Sequence, residues 1–582
     1  MGALLVLVGC SLVAVVYFVY RVALPKPLAG IPYNHDAVSK LFGDVPEMMS
    51  YVLRTKRIFC WLTSLIAQHR SPIVQAFIKP MSLPWVVVTD PFESQDILLR
   101  RTKEFDRSGF FGELIGGILP EQHIQFLSTD ARIKDGRNLI NHLMAPSFIS
   151  QVSAPEVYKS VCSLMELWQV KCDRARGRPF AAHDDITYWA LDSIFASSFG
   201  VDEAGSNTSS RLDAVKRGPT THVPQHRDEP VAFPTAAGNS PPVFQAVLTL
   251  ANSVTDTQLS PAPRLTSWVL RQLPYMRNAT AVKDQWLRAR TDEVVALVEA
   301  GDGDGEQQQP ARNALHSVLL RERHVACKAG RKPDYTKRAI ADEFFGFMTA
   351  GYDTTATTVA WGVKLLADHA SAQQRLRREL RAAFTQAALD ERAPTYQELA
   401  KAHIPYLDAV VEEVLRHANT IAFVVRTAQR DTTVLGRHIP KGTDVFFMAN
   451  GAGYLEPHLP ADDAMRSPGA RRQTCSNTKA LTDAWDDQDI APFKPERWLR
   501  VDPVTGQETF DPMAGPTLAF GLGPRGCFGR RLALQSLRIQ FAMTIWHFHL
   551  LEAPPGLSGY DAVQRFAREP IKCYMRLETA VV

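Results

Sequence analysis

The segment that most constrains this chain is Phe520-Gly521-Leu522-Gly523-Pro524-Arg525-Gly526-Cys527-Phe528-Gly529-Arg530-Arg531, rich in glycine and holding a single cysteine. Gly521 and Gly523 give access to left-handed backbone and Pro524 stiffens the turn. The stretch therefore predicts a tight loop that presents Cys527 and lets a flat ligand approach the main chain. Leu532, Leu534, Leu537, Ile539 and Phe541 follow and predict a buried helix whose N-terminal dipole faces Cys527. That position favours thiolate over thiol, and a thiolate held by backbone donors away from water suits a soft or borderline metal. Two other readings stand beside this one. Gly521 to Gly526 also fits the dinucleotide fingerprint G-x-G-x-x-G, but that reading needs an acidic residue about twenty positions on, and Glu552 lies further away. A buried cysteine in a glycine turn is the ordinary fate of an isolated cysteine. It leaves the spacing of Phe520, Arg525 and Gly529 unexplained.

That spacing resembles the heme-ligand signature of the cytochrome P-450 monooxygenases, Phe-x-x-Gly-x-Arg-x-Cys-x-Gly, at every fixed position. The resemblance implies a mainly α fold with small β-sheets and heme b (iron protoporphyrin IX) as cofactor. It makes Cys527 the proximal thiolate on the iron, places Phe520 beside the ligand loop, and pairs Arg525 with a heme propionate.

Composition sets broad limits around this. At 582 residues the chain has room for a large buried pocket, either in several domains or in one long enzyme domain. A formal net charge of +4 gives no argument for nucleic-acid binding, and no nucleic-acid partner is expected. The eight cysteines are scattered with no C-x-x-C pair, which argues against a disulfide framework or structural zinc and for a reducing compartment.

Ala3 to Tyr20 form an almost purely apolar run stopped by Arg21. As a helix it rises roughly 27 Å, close to the roughly 30 Å hydrocarbon core of a bilayer. A cleaved signal peptide is the alternative, but a charged n-region is missing and Arg21 and Lys26 follow the run. The expectation is a single-pass membrane helix within residues 1–24, with the body on the cytosolic side of the endoplasmic reticulum. Residues 25–43, beginning Pro25-Lys26-Pro27, read as a stiff extended hinge, and residues 44–582 as one heme-thiolate catalytic domain. With a cytosolic body the sequons at Asn207 and Asn278 are silent. Trp85 to Thr89 reads as a strand and Phe92 to Arg100 as a helix. Arg137 stands where the resemblance implies a propionate contact, although Ile133 replaces the family's tryptophan; a solvated arginine on a helix face is the other reading. Residues 202–242, 301–310 and 459–483 read as exposed excursions without periodicity.

From Arg338 to Leu366 helical apolar spacing runs for an unusual length around Ala350-Gly351-Tyr352-Asp353-Thr354-Thr355. This resembles the family's oxygen-activation motif, which implies that Thr354 hydrogen-bonds dioxygen and Asp353 helps relay protons. The plain alternative is that Thr354 bonds back to its own helix carbonyl. Glu413 and Arg416 share a helix face at i, i+3, and Phe493-Lys494-Pro495-Glu496-Arg497-Trp498 resembles the family's Pro-x-Arg-Phe/Trp element. The resemblance joins Glu413, Arg416 and Arg497 in a buried network behind the heme, and makes Arg426 a further propionate-binding arginine. It implies a membrane-anchored monooxygenase of microsomal type, similar to those of fungal secondary metabolism. Such an enzyme takes electrons from a flavoprotein reductase and inserts one atom of dioxygen into a lipophilic small molecule. A heme-thiolate isomerase or dehydratase, or a heme-binding sensor or carrier, would use the same cysteine but leave Asp353-Thr354 unexplained.

Overall fold

The long apolar run folds as one helix, Arg338–Asp368, in a computed structural model that describes residues 2–200, 205–218, 222–234, 240–260, 262–300, 311–475 and 487–580. Phe344, Phe345, Met348, Val359, Trp361 and Leu365 bury around it, so its length comes from packing on several sides rather than from propensity. Glycine inside a helix costs about 1 kcal/mol relative to alanine. At Gly362 a methyl group would strike the Phe541 ring, so the glycine lets the C-terminal helix close in. The helix stops at His369, whose Nδ1 lies 2.8 Å from the Leu365 carbonyl oxygen.

Helices Ala154–Ala175, His183–Phe199, Pro405–Ala418 and Arg530–His547 surround this axis. Trp168, Trp189, Phe195 and Trp361 are fully buried between them. A five-stranded sheet flanks the bundle in the order Ile73–Ala76, Trp85–Val88, Asp444–Met448, Phe423–Ala428, Phe105–Arg107. Its last pair is antiparallel and sets Arg107 opposite Arg426. A short C-terminal hairpin, Ala562–Gln564 with Arg568–Pro570, is tied to the long helix where Trp361 Nε1 donates to the Arg568 carbonyl oxygen at 2.8 Å. The mainly α architecture with small sheets agrees with expectation.

Several segments differ from the sequence reading. Residues 25–43 are not a free extended hinge. Gln75 Nε2 donates to the Leu28 and Ile31 carbonyls at 2.9 and 2.7 Å, Ile31 is buried, and a 3-10 turn forms at His35–Ser39. The stretch is docked onto the first strand. Within 202–242, expected to lack structure, a helix spans Asn207–Arg217. Its N-terminus is held by the buried carboxylate of Asp192, which accepts from the Asn207 and Thr208 backbone N–H groups at 3.0 and 2.8 Å. Asn207 is itself buried, so packing alone closes that sequon. Helix Pro468–Cys475 lies in the 459–483 excursion; residues 476–486 and 301–310 fall outside the described residues. The apolar N-terminal run is a helix, Gly2–Ala23. Among the described residues no helix is long and apolar enough to cross a membrane.

Candidate active site

The Cys527 loop is built as its glycines require. Gly521 and Gly523 have φ of +61° and +70°, which side-chain-bearing residues rarely adopt. The turn is closed by Gly526 N–H on the Gly523 carbonyl oxygen at 3.0 Å and by Cys527 N–H on the Phe520 carbonyl oxygen at 2.7 Å. Helix Arg530–His547 starts immediately after it. Phe520 sits half-buried beside the loop, with the Arg530 guanidinium 5.6 Å from its ring centre.

Cys527 faces a cavity of about 330 Å³ whose opposite wall is the long helix at Phe347, Ala350, Gly351 and Thr354. The sulfur is open to this internal space rather than to bulk water. Burial pushes the Cys527 thiol up, against the pull of the Gly529 and Arg530 backbone N–H groups and the Arg530 charge. Desolvation outweighs the helix terminus, so the loop without a metal favours the thiol, which corrects the thiolate expected from the helix N-terminus. A coordinated metal ion would deprotonate it outright.

The same cavity is lined by Arg107, Arg137, Arg426 and Arg525. Arg525 Nη2 donates to the Ile124 and Phe126 carbonyls at 3.0 and 2.7 Å, Arg137 Nη2 to the Pro524 carbonyl at 2.7 Å, and Arg426 Nη1 to the Val425 carbonyl at 2.9 Å. Arg525 Nε and Nη1, Arg137 Nε and Arg107 Nε are buried without a partner among the described residues. Burial pushes Arg107 well below its usual range, with repulsion from Arg426 and Arg525 next, and burial brings Arg426 and Arg525 down to about 10, with Asp106 opposing the fall at each. The carboxylate beside them, Asp106, is taken up by the Arg107 backbone N–H and by Ser128, each at 2.7 Å. A buried cluster of cations with orphaned donors calls for an anionic ligand. A flat group carrying carboxylates, set between a cysteine loop and a glycine-bearing helix face, meets that need, so the residues present fit heme. Arg137, Arg426 and Arg525 were expected here. Arg107 was not, because only the strand register that pairs it with Arg426 brings it to the site.

Thr354 and Asp353 do not share a compartment. Thr354 opens on the Cys527 cavity while its Oγ1 donates to the Ala350 carbonyl at 2.7 Å. Both the functional placement and the back-bond are thus present. Asp353 opens on a separate chamber behind the helix, where burial pushes its carboxyl up to about 7, with Glu569 adding to the rise and Arg565 opposing it.

Glu413, Arg416 and Arg497 come together as expected. Arg416 donates to both Glu413 oxygens at 2.9 and 2.7 Å, Arg497 Nε donates at 3.1 Å, and Trp498 Nε1 donates at 2.9 Å. Burial would raise the Glu413 carboxyl, but the hydrogen bonds from Arg416 and His417 and the Arg416 charge hold it well below the usual carboxylate range.

The sequence profile of the family described as Cytochrome P450 matches residues 53–456 and 489–558. The chain belongs to the cytochrome P-450 family. Its curated relatives include a cytochrome P-450 monooxygenase of Fusarium sporotrichioides, 37% identical over 98% of each chain. Another, of Pestalotiopsis microspora, is 35% identical over 98% of this chain and 97% of that one. The crystal structure of the cytochrome P-450DA heme domain superposes with a TM-score of 0.62 at 18% identity, covering 96% of this chain and 98% of that chain. That likeness shows the fold. As a member of this family the protein is an oxidoreductase of the P-450 monooxygenase class, and its cofactor is heme b.

Proposed function

We propose that this cytochrome P-450 is a membrane-anchored monooxygenase that inserts one oxygen atom of dioxygen into a lipophilic small molecule, in fungal secondary metabolism, with electrons from a flavoprotein reductase. The observation that carries the reading is the cavity itself. Cys527 and Thr354 open on one space whose wall also includes Phe111, Leu114, Ile194, Phe423 and Phe566. Its carboxylate, Glu343, is already engaged by the His123 backbone N–H and Nδ1, at 2.7 and 2.8 Å. A substrate here is recognised by apolar burial, each apolar ångström squared contributing about 25 cal/mol.

Bound in this cavity, heme b supplies the activation of dioxygen and the oxidising power for attack on a carbon centre. The chain's own work is positioning and proton handling. Cys527 Sγ would hold the heme iron, and Arg107, Arg137, Arg426 and Arg525 would hold the heme carboxylates. The apolar wall excludes water. Thr354 Oγ1 is the hydroxyl that the long helix offers to the cavity, and Asp353 carries an exchangeable proton near neutral pH on the next residue. Val13, Val16, Phe18 and Val19 of helix Gly2–Ala23 are exposed, which supports insertion of this helix into the endoplasmic reticulum membrane, with the catalytic body in the cytosol.

The test compares extracts of the native host carrying the intact protein with those of a host carrying Cys527→Ala, grown under labelled dioxygen. A labelled product in intact cells only, with its deoxygenated precursor accumulating in the variant, supports the reading. A metabolite that changes without label points to isomerisation or dehydration instead.

A further inference from the structure

Residues 119–125 cross the start of the long helix, and their main chain is pinned there. The Glu121 N–H donates to Asp342 Oδ2 at 2.8 Å and the His123 N–H to Glu343 Oε1 at 2.7 Å. Both carboxylates are buried. Asp342 accepts in turn from Arg338 Nε at 2.7 Å, and Glu343 Oε2 lies 2.8 Å from His123 Nδ1. The side chain between these two anchors, Gln122, is 9% exposed and opens on the Cys527 cavity. Among the described residues its carboxamide makes no hydrogen bond. A buried amide with its donors and its acceptor unspent is unfavourable unless something satisfies it. The long helix makes room for it. At Gly346 a methyl group would overlap the Gln122 carboxamide, and a glycine inside a helix weakens that helix. Gly346, Ala350 and Thr354 follow at four-residue steps and all line the cavity, so they stack on one helix face. At about 1.5 Å per residue, the seat over Gly346 lies roughly 12 Å along the wall from Thr354.

We infer that Gln122 is a specificity-determining residue, and that the substrate carries a neutral hydroxyl or carbonyl oxygen which the Gln122 carboxamide hydrogen-bonds above Gly346. The inference rests on the monooxygenase reading, in which a lipophilic molecule occupies this cavity. The oxygen is neutral because a carboxamide donates through Nε2 and accepts through Oε1 but brings no charge to offset an ion. The two carboxylates that pin the turn, Asp342 and Glu343, repel an anion. The turn is fixed at both ends before any ligand arrives, so little ordering is left to oppose the hydrogen bond. A substrate that reaches both the carboxamide and Thr354 spans roughly 12 Å. It is already oxygenated when it arrives, so the reaction that supplies it leaves a hydroxyl or carbonyl on an otherwise apolar skeleton.

The test titrates the full-length, heme-loaded protein with decane, decyl alcohol and decanoate, and reads binding from the heme absorption band rather than from turnover. The parent should bind decyl alcohol about tenfold more tightly than decane, the scale of one net hydrogen bond, and more tightly than decanoate. Gln122→Leu keeps the bulk and removes the polar atoms, and it should erase the preference for alcohol over alkane. Gly346→Ala displaces the carboxamide and should do the same. Transfer of heme from Gln122→Leu to apomyoglobin should run at the parental rate. Equal binding of alcohol and alkane by the parent overturns the inference without any variant, as does tighter binding of decanoate. A preference that survives Gln122→Leu also overturns it, and faster heme loss in that variant would assign the carboxamide to the heme instead. Absence of labelled product in the host would remove the monooxygenase reading and leave the alcohol preference standing. Labelled product without that preference would remove this subsite alone.

Discussion

Arg107 illustrates how much one side chain can contribute to holding a cofactor. Its guanidinium is buried beside Arg426 and Arg525 with an orphaned Nε, and hydrogen bonds to a charged group are worth about 1.5–3 kcal/mol. Arg107→Ala should therefore speed heme loss by about tenfold or more, read by transfer of heme to excess apomyoglobin; transfer at the parental rate would remove it from the propionate site. Thr354→Ala should leave heme content unchanged while product per electron pair falls by about a hundredfold, the lower end of what a positioned proton-handling group contributes. Equal coupling in variant and parent would leave the Ala350 back-bond as this hydroxyl's whole role. Asp353 also makes a stability statement. Its carboxyl rises from 3.8 to about 7 on folding, so the folded state binds the extra proton between those values. Its contribution is full below pH 3.8 and is lost as pH rises through about 7. Parent protein should lose thermal stability relative to Asp353→Asn across that window, and parallel melting curves would contradict it.

At the scale of elements, the buried ion network decides where helix Pro405–Ala418 meets the segment at Pro495–Trp498. Glu413 is fully buried and takes hydrogen bonds from Arg416, Arg497, Trp498 and the Lys494 backbone N–H. Removing Arg497 leaves part of that charge uncompensated, and Arg497→Ala should cost about 3–5 kcal/mol, seen as a lower yield of heme-loaded protein and an earlier denaturant midpoint. A midpoint within about 0.5 kcal/mol of the parent would show that the arginine is dispensable. How far each element is legible in the sequence follows from the source of its stability. The long helix carries its apolar periodicity, and the strand at Trp85–Val88 its unbroken apolar run, in their own residues. Helix Asn207–Arg217 is polar along most of its length, and its N-terminus depends on Asp192, a residue of another helix. No local pattern encodes that support.

At the scale of the whole molecule, the proposed anchor and the body are expected to be separable in function. A chain lacking residues 1–24 should bind heme as the intact one does, because the cavity draws its lining from Arg107 onward, yet move from the membrane pellet to the supernatant. Pelleting of the shortened chain would place membrane affinity elsewhere on its surface. Cys527, its glycine turn, the apolar helix that follows and the long helix with Asp353-Thr354 could all be read directly from sequence, because each is local: a left-handed turn needs glycine at a given position, and a buried helix needs its own apolar spacing. The place of Arg107 in the arginine cluster, the neutral preference of the Cys527 thiol, and the division of Asp353 and Thr354 between two compartments were decided only by the tertiary structure. Those properties depend on how deeply a group is desolvated and which charges stand opposite it, and strands and helices hundreds of residues apart in the chain determine both.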